Sequence, residues 1–360
     1  MGKIKVLIID DSALIRELLT ELLQSDPQIE VIGTAHDPLM AREKIKQLNP
    51  DVLTLDVQMP KMDGVTFLRN LMRLRPMPVV MVSTLTEEGA DITLEALSLG
   101  AVDFVAKPKV DVKEKLFEYQ DEIIAKVKTA AQAKVGKSVT LPKKSAVVPD
   151  VIPSHSVDSI LEKPIVKPGY FVTDRIVAIG ASTGGTEAIM EVLKQFPADF
   201  SPVVITQHIP PVFSESFAKR LDSLCPMKVL HAEEGQEVVQ GHAYVAPGDK
   251  HLIIRRSGSR LYCSLNDGPP VNRHKPSVDV MFRSVLQSTG GNCVSVILTG
   301  MGADGAQGMK DLHDEGAFTI AQDQDSSIVW GMPGEAVKME AVDMVLPLLK
   351  IPAAVIKKCK

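Results

Sequence analysis

NPDVLTLDVQMPKMDG, residues 49–64, is the stretch on which the fold reading turns. Its apolar run VLTLD (52–56) has strand length, closes on an acid and gives way to a Pro- and Gly-marked turn, the punctuation that ends a strand. Working outward, matching runs stand at VLIID (6–10), EVIGTA (30–35), VVMVS (79–83) and DFVAK (103–107). Stretches of helical period lie between them, such as the one carrying Leu14, Leu18, Leu19, Leu22 and Leu23. Strands alternating with helices predict an α/β domain over residues 1–128, an open, doubly wound parallel sheet of flavodoxin-like type.

From 129 to 170 the period is lost, and Pro142, Pro149, Pro153, Pro164 and Pro168 are scattered among Lys, Ser and Val. Such a segment buries too little apolar surface to offset its ordering entropy and reads as a linker, helical at its start. A second α/β domain follows over 171–360. Its expected strands are RIVAIGAS (175–182), PVVITQH (202–208), MKVLHA (227–232), AYVAPG (243–248), HLIIRR (251–256), LYCSL (261–265), CVSVILTG (293–300), FTIAQD (318–323) and MVLPL (344–348). Helices are expected through Ile189, Leu193 and Phe196, from Phe213 to Leu221, and near Gly308 to His313. Hairpin spacing in the middle predicts some antiparallel pairing there.

Composition bounds the function. At 360 residues, 45% hydrophobic and 24% charged, the chain is ordinary for globular domains, and its net charge of −5 argues against a nucleic-acid partner. Four cysteines, tens of residues apart and without CxxC pairing, mark neither a zinc site nor a disulfide framework, and fit a reducing cytoplasm. No stretch approaches the roughly eighteen apolar residues of a membrane span, so no membrane insertion is expected.

In an open parallel sheet the ligand site lies beyond the carboxyl ends of the strands. Asp10 and Asp11 close the first strand, Asp56 the third, Ser83 the fourth and Lys107 the fifth, so they converge there. Carboxylates forced together repel unless a divalent cation sits among them, and all-oxygen ligation suits Mg²⁺. A lysine ammonium beside them can hold a phosphoryl oxygen. Each acid taken alone also reads as a helix cap. The set, DD upstream of NPDVLTLDVQMPKMDG and Lys107-Pro108 downstream, resembles the receiver domain of two-component response regulators over residues 4 to 125. That resemblance implies a histidine kinase as phosphodonor and Asp56 as the phosphoryl acceptor. It also implies Mg²⁺ on Asp10, Asp11, Asp56 and the Gln58 carbonyl, with Ser83 and Lys107 sensing the phosphoryl group.

In the second domain GASTGGT (180–186) joins a strand to a helix, where glycines permit a tight turn and helix-start N–H groups face an anion. It is neither a Walker A loop nor GxGxxG. Ser182 in that turn, His208 closing PVVITQH and Asp304 in LTGMGADG all stand at strand carboxyl ends and supply nucleophile, base and orienting acid. Each has a plainer alternative: Ser182 as a helix cap, His208 as a surface histidine, Asp304 as a turn residue. His274, in the polar loop DGPPVNRHKPSVD (267–279), is a further candidate for the same cleft.

GASTGGT, TQH followed by PP and FSESF, PPVNRHKPSVD and LTGMGADG together resemble the catalytic domain of the chemotaxis protein-glutamate methylesterase family CheB, which also carries an N-terminal receiver and a linker. The resemblance covers essentially the whole chain except the linker. It implies Ser182 as nucleophile, His208 as base, Asp304 as its orienter and the Met301 backbone N–H as an oxyanion donor. The implied reaction is demethylation of glutamate methyl esters on chemoreceptor cytoplasmic helices, with glutamine deamidation as a second activity and no cofactor for hydrolysis. Two other classes compete. A phosphorylation-controlled transcription factor is disfavoured by the acidic balance and the α/β second domain. A receiver fused to a nucleotide-binding enzyme is permitted by the GASTGGT turn.

Overall fold

The structure, a computed structural model, describes residues 2–60, 62–84, 86–107, 120–133, 155–161 and 175–360. The chain divides into two compact units at the boundary between Lys143 and Lys144. Most of the stretch read as a linker, including Pro142, Pro149, Pro153, Pro164 and Pro168, lies outside the described residues.

In the first unit the elements run β1 (Ile4–Ile9), α1 (Ala13–Gln24), β2 (Ile29–Ala35), α2 (Pro38–Leu48), β3 (Val52–Asp56), α3 (Gly64–Leu74), β4 (Val79–Thr84), α4 (Glu87–Ser98), β5 (Asp103–Lys107) and α5 (Gln120–Gln132). The strands form one parallel sheet in the order β2-β1-β3-β4-β5. Covered on both faces, its central strands are buried at every residue of β3 and from Val6 to Ile9 in β1, as an uninterrupted apolar run requires. Side-chain caps start the helices: Ser12 accepts from Ile15 N–H, Asp37 from Met40 N–H and Asp63 from Thr66 N–H. Gly64 follows for a steric reason, since a Cβ there would lie 2.0 Å from the Asp56 carbonyl oxygen.

The second unit contains β6 (Ile176–Ala181), α6 (Gly185–Leu193), β7 (Val203–Gln207), α7 (Pro211–Leu224), β8 (Lys228–His231), β9 (His242–Val245), β10 (His251–Ser257) and β11 (Arg260–Asn266). It continues with α8 (Val278–Thr289), β12 (Cys293–Ile297), α9 (Ala306–Asp314), β13 (Phe318–Gln322), α10 (Met332–Lys338), β14 (Met344–Leu346) and α11 (Ile351–Cys359). Seven parallel strands are ordered β14-β13-β12-β6-β7-β9-β8. Among the described strands β10 and β11 pair antiparallel, and isolated antiparallel bridges join Glu237 to Tyr262 and Val271 to His274. The neighbouring β8 and β9, whose spacing suggested a hairpin, pair in parallel because residues 232–241 carry the chain back to the start of the sheet edge. The helix expected through Phe196 stops at Leu193, because Pro197 disfavours helical backbone just before it. Phe196 is buried nonetheless, its ring 4.4 Å from that of Phe200.

Residues 155–161 belong to this unit. A 3₁₀ turn, Val157–Ser159, buries Val157 with Ile253, Val271 and Val280, and Ile160 and Leu161 pack against that cluster. His155 bridges to Val271, and Asp158 pairs with Arg283 of α8.

Candidate functional site

Each large parallel sheet has a point at which the chain leaves toward opposite edges, and there the loops part into a crevice. In the first unit it falls between β1 and β3, and the expected residues meet at it. Carboxylate oxygens of Asp10, Asp11 and Asp56 lie within 4.8 Å of one another. Lys107 Nζ stands 2.8 Å from Asp10 Oδ2 and 2.9 Å from Asp56 Oδ2. Asp10 and Asp56 are buried while Asp11 is exposed. Burial, then the charge of Asp10, pushes Asp56 up to about 6 against the pull of Lys107, and burial likewise raises Asp10. The cluster is thus short of positive charge. Asp10 Oδ2 also receives no well-directed hydrogen bond among the described residues. A hard divalent cation fits such a donor set.

The surroundings hold the cluster in place. Gln58 donates its backbone N–H to Asp56 Oδ1 at 3.4 Å. Ser83 is fully buried, and its hydroxyl donates to the Gly89 carbonyl of α4 at 3.2 Å. Arg16, which sequence reading did not single out, donates through Nη1 to the carbonyls of Asp10 and Asp11 at 2.7 and 2.9 Å.

In the second unit the parting point lies between β6 and β12, and Ser182, His208 and Asp304 follow β6, β7 and β12. Ser182 is tied by its backbone: its N–H donates to Thr299 O at 3.0 Å, and its carbonyl accepts from Gly185 N–H at 2.7 Å and Gln207 Nε2 at 2.8 Å. The capping alternative falls, because Gly184 occupies the cap position of α6 and no side chain caps it. Residues 299–302 press on Ser182; a Cβ at Gly300 would lie 2.8 Å from Ser182 Cβ and 2.4 Å from Met332 Sδ. Met301 stands in that loop beside Gly302, whose φ is +84°.

His208 is no surface residue, its side chain being 8% exposed. Nε2 meets Asp304 Oδ2 at 2.8 Å, whereas Nδ1 is buried and has no hydrogen-bond partner among the described residues. The ring of His274 stacks on it, centroids 3.7 Å apart and planes 11° apart. Asp304 is no ordinary turn residue either. Fully buried, it accepts on Oδ2 from Val278 N–H (2.6 Å) as well as His208, and on Oδ1 from Ser277 Oγ (2.8 Å) and Asn272 Nδ2 (2.9 Å). Burial works against its ionisation. The hydrogen bond and charge of His208, aided by His274 and Asn272, nonetheless hold its carboxyl well below the usual range.

A second acid escaped sequence reading. Asp279 of α8 is 3% exposed and accepts from Gly308 N–H and Asn272 Nδ2, each at 2.6 Å. Burial and then the Asp304 charge push it up to about 7. His251, also buried, anchors the loop between: Nδ1 accepts from Ser277 N–H at 3.2 Å and Nε2 donates to Pro269 O at 3.0 Å.

Site and sheets together describe a two-part chain, with a receiver-type acidic pocket in one α/β unit and, in the other, Ser182, His208 and Asp304 at the ends of neighbouring strands. Family models agree, residues 6–118 matching the response regulator receiver domain and 177–355 the CheB methylesterase. The protein-glutamate methylesterase/protein-glutamine glutaminase of Hydrogenovibrio crunogenus is 57% identical over the whole of both chains. A relative of the same name, numbered 1, from Xanthomonas campestris pv. campestris is 55% identical over 97% of this chain and 95% of its own. The Thermotoga maritima CheB methylesterase catalytic domain superposes with a TM-score of 0.51 at 37% identity, over 52% of this chain and 99% of that one. The chain belongs to the protein-glutamate methylesterase/protein-glutamine glutaminase family. No helix among the described residues is long and apolar enough to cross a membrane.

Proposed function

We propose that this chain hydrolyses γ-glutamyl methyl esters on the cytoplasmic helices of methyl-accepting chemoreceptors, releasing methanol, under control of phosphorylation at Asp56. The observation that carries the reading is the state of His208, whose Nε2 is committed to Asp304 while a buried Nδ1 is left for another proton. Nδ1 takes the Ser182 hydroxyl proton as Oγ attacks the ester carbonyl. Asp304 fixes the tautomer and stabilises the imidazolium. Nδ1 then returns the proton to departing methanol, and water attacks the acyl-serine by the same route to restore both serine and glutamate. Backbone N–H groups at Met301 and the Ser182 turn receive the oxyanion, each worth about 3–4 kcal/mol in comparable hydrolases. A glutamine side chain would follow the same course with ammonia leaving.

On the receiver side, Asp10, Asp11, Asp56 and the Gln58 carbonyl would hold Mg²⁺. When bound, the ion offsets the charge of the acids and of the entering phosphoryl group. Asp56 accepts the phosphoryl group from a histidine kinase, Lys107 pairs with its oxygens, and Ser83 turns from Gly89 toward it. Because the receiver is tethered, only a modest coupling is needed for its unphosphorylated form to restrain turnover. The deciding experiment follows methanol release from methylated receptor, with and without phosphodonor, for the natural chain and Ser182→Ala. Donor-stimulated release abolished by the substitution supports the reading. Release persisting in Ser182→Ala refutes it.

A further inference from the structure

Several donors hold the Asp304 carboxylate, Val278 N–H on Oδ2 and Ser277 Oγ and Asp279 N–H on Oδ1 among them, and one further donor also reaches a second acid. Two buried acids, Asp304 and Asp279, lie close enough for one side chain to reach both, and that side chain is Asn272. Its Nδ2 stands 2.9 Å from Asp304 Oδ1 and 2.6 Å from Asp279 Oδ2. Asp304, held ionised, can only accept, so the amide must turn Nδ2 toward it and has one permitted orientation there. The backbone restricts the residue type as well. Asn272 has φ +51°, in the left-handed region, where asparagine is among the few side chains at ease. Its N–H reaches the His155 carbonyl at 3.4 Å, and its neighbour Val271 is buried beneath the Val157 turn.

We infer that Asn272 is a positioning residue for hydrolysis: braced on Asp279, its amide holds Asp304 Oδ1 so that Oδ2 faces His208 Nε2. The inference rests on the reading of Ser182, His208 and Asp304 given above. Asp279 is the brace because Gly308 N–H of α9 fixes its other oxygen at 2.6 Å. Ser277 Oγ, the other side-chain donor to Asp304 Oδ1, already serves as the cap of α8 through Val280 N–H.

Two full-length variants test it. Asn272→Gly keeps the left-handed backbone without strain and deletes only the amide. It should lower kcat for methanol release about 10- to 100-fold with KM nearly unchanged, as losses of orienting groups do. Its pH–rate profile should differ from that of the natural chain, because Asp304 with one donor fewer presents a different charge to His208. Asn272→Asp also tolerates the backbone but sets a third acid between the two. Its deficit should be large at neutral pH and should shrink toward acid pH, where the new carboxyl regains a donor hydrogen. Retention of wild-type kcat and pH profile in Asn272→Gly, or a pH-independent deficit in Asn272→Asp, overturns the inference. Ser182→Ala separates this failure from failure of the underlying reading. If Ser182→Ala is inactive while Asn272→Gly is normal, only the positioning role is lost; if Ser182→Ala is active, the constellation itself is misread.

Discussion

Both halves of this chain bury carboxylates at the parting point of a parallel sheet, and the one that meets a histidine in the second half is treated in the opposite way to the pair in the first. In the first half Asp10 and Asp56 share one ammonium, Lys107, and accept backbone N–H groups of Ser12 and Gln58. Their acidities stay weakened, Asp56 at about 6. In the second half Asp304 is ringed by neutral donors and one imidazole, and its carboxyl is strengthened instead. The difference teaches what each pocket is prepared for. An underneutralised cluster next to an exposed Asp11 invites a cation and a phosphoryl group. A fully donated carboxylate has no vacancy for either and is left facing its histidine.

The comparison breaks most visibly at Ser182. Ser182→Ala should cut methanol release by about 10⁴- to 10⁶-fold, the scale of losing a nucleophile, while phosphorylation of Asp56 by a small phosphodonor proceeds normally. Coupled loss of both in a phosphorylation and methanol assay would show that the two pockets are not independent. Next in size is removal of divalent cation: a chelator should abolish Asp56 phosphorylation and leave basal methanol release untouched. A chelator-sensitive basal rate would place the metal in the wrong half. Smaller is the regulatory effect, about 5- to 150-fold for a coupling of 1–3 kcal/mol. Deleting residues 1–150 should raise basal turnover toward the phosphorylated level, and Asp56→Asn should hold the full-length chain low with donor present. If the deletion is no faster than the unphosphorylated chain, phosphorylation acts by stimulation rather than relief.

The smallest expected effect concerns stability. Asp279 binds its proton more tightly folded, at about 7, than at its ordinary 3.8. Its contribution therefore favours folding below the ordinary value and is lost as pH rises through about 7. Asp279→Asn should flatten the fall in stability between those pH values. Urea midpoints read from the fluorescence of Trp330, the single tryptophan and a residue of the second unit, measure it. An unchanged slope would mean that the second carboxylate is not held as described.

Much of this was legible in order along the chain. Apolar runs closed by Asp56, Ser83 and Lys107 gave the first sheet because fully buried parallel strands leave unmistakable runs, and Ser182, His208 and Asp304 stood out by ending strands. What stayed hidden depends on contacts across the fold. Nothing near Asn272 marks it, since its partners lie 7 and 32 residues away. Helix α8 begins at Val278, inside the polar stretch 267–279 that reads as a loop, so Asp279 reads as loop too. The parallel pairing of β8 with β9 is invisible too, because spacing reports how far apart two strands are and not which way the second returns.

The 3₁₀ turn at Val157 sets where the hydrolytic half can be cut free. Motifs alone place its start at RIVAIGAS, but excision there would strip Val157 from Ile253, Val271 and Val280, a loss of about 1.5–3 kcal/mol for one buried valine. Arg283, 11% exposed, would lose Asp158 and retain Asp311 at 3.7 Å. The portable module, the piece that could be grafted behind another sensor and still fold, therefore begins ahead of His155, and part of what looks like tether travels with the enzyme.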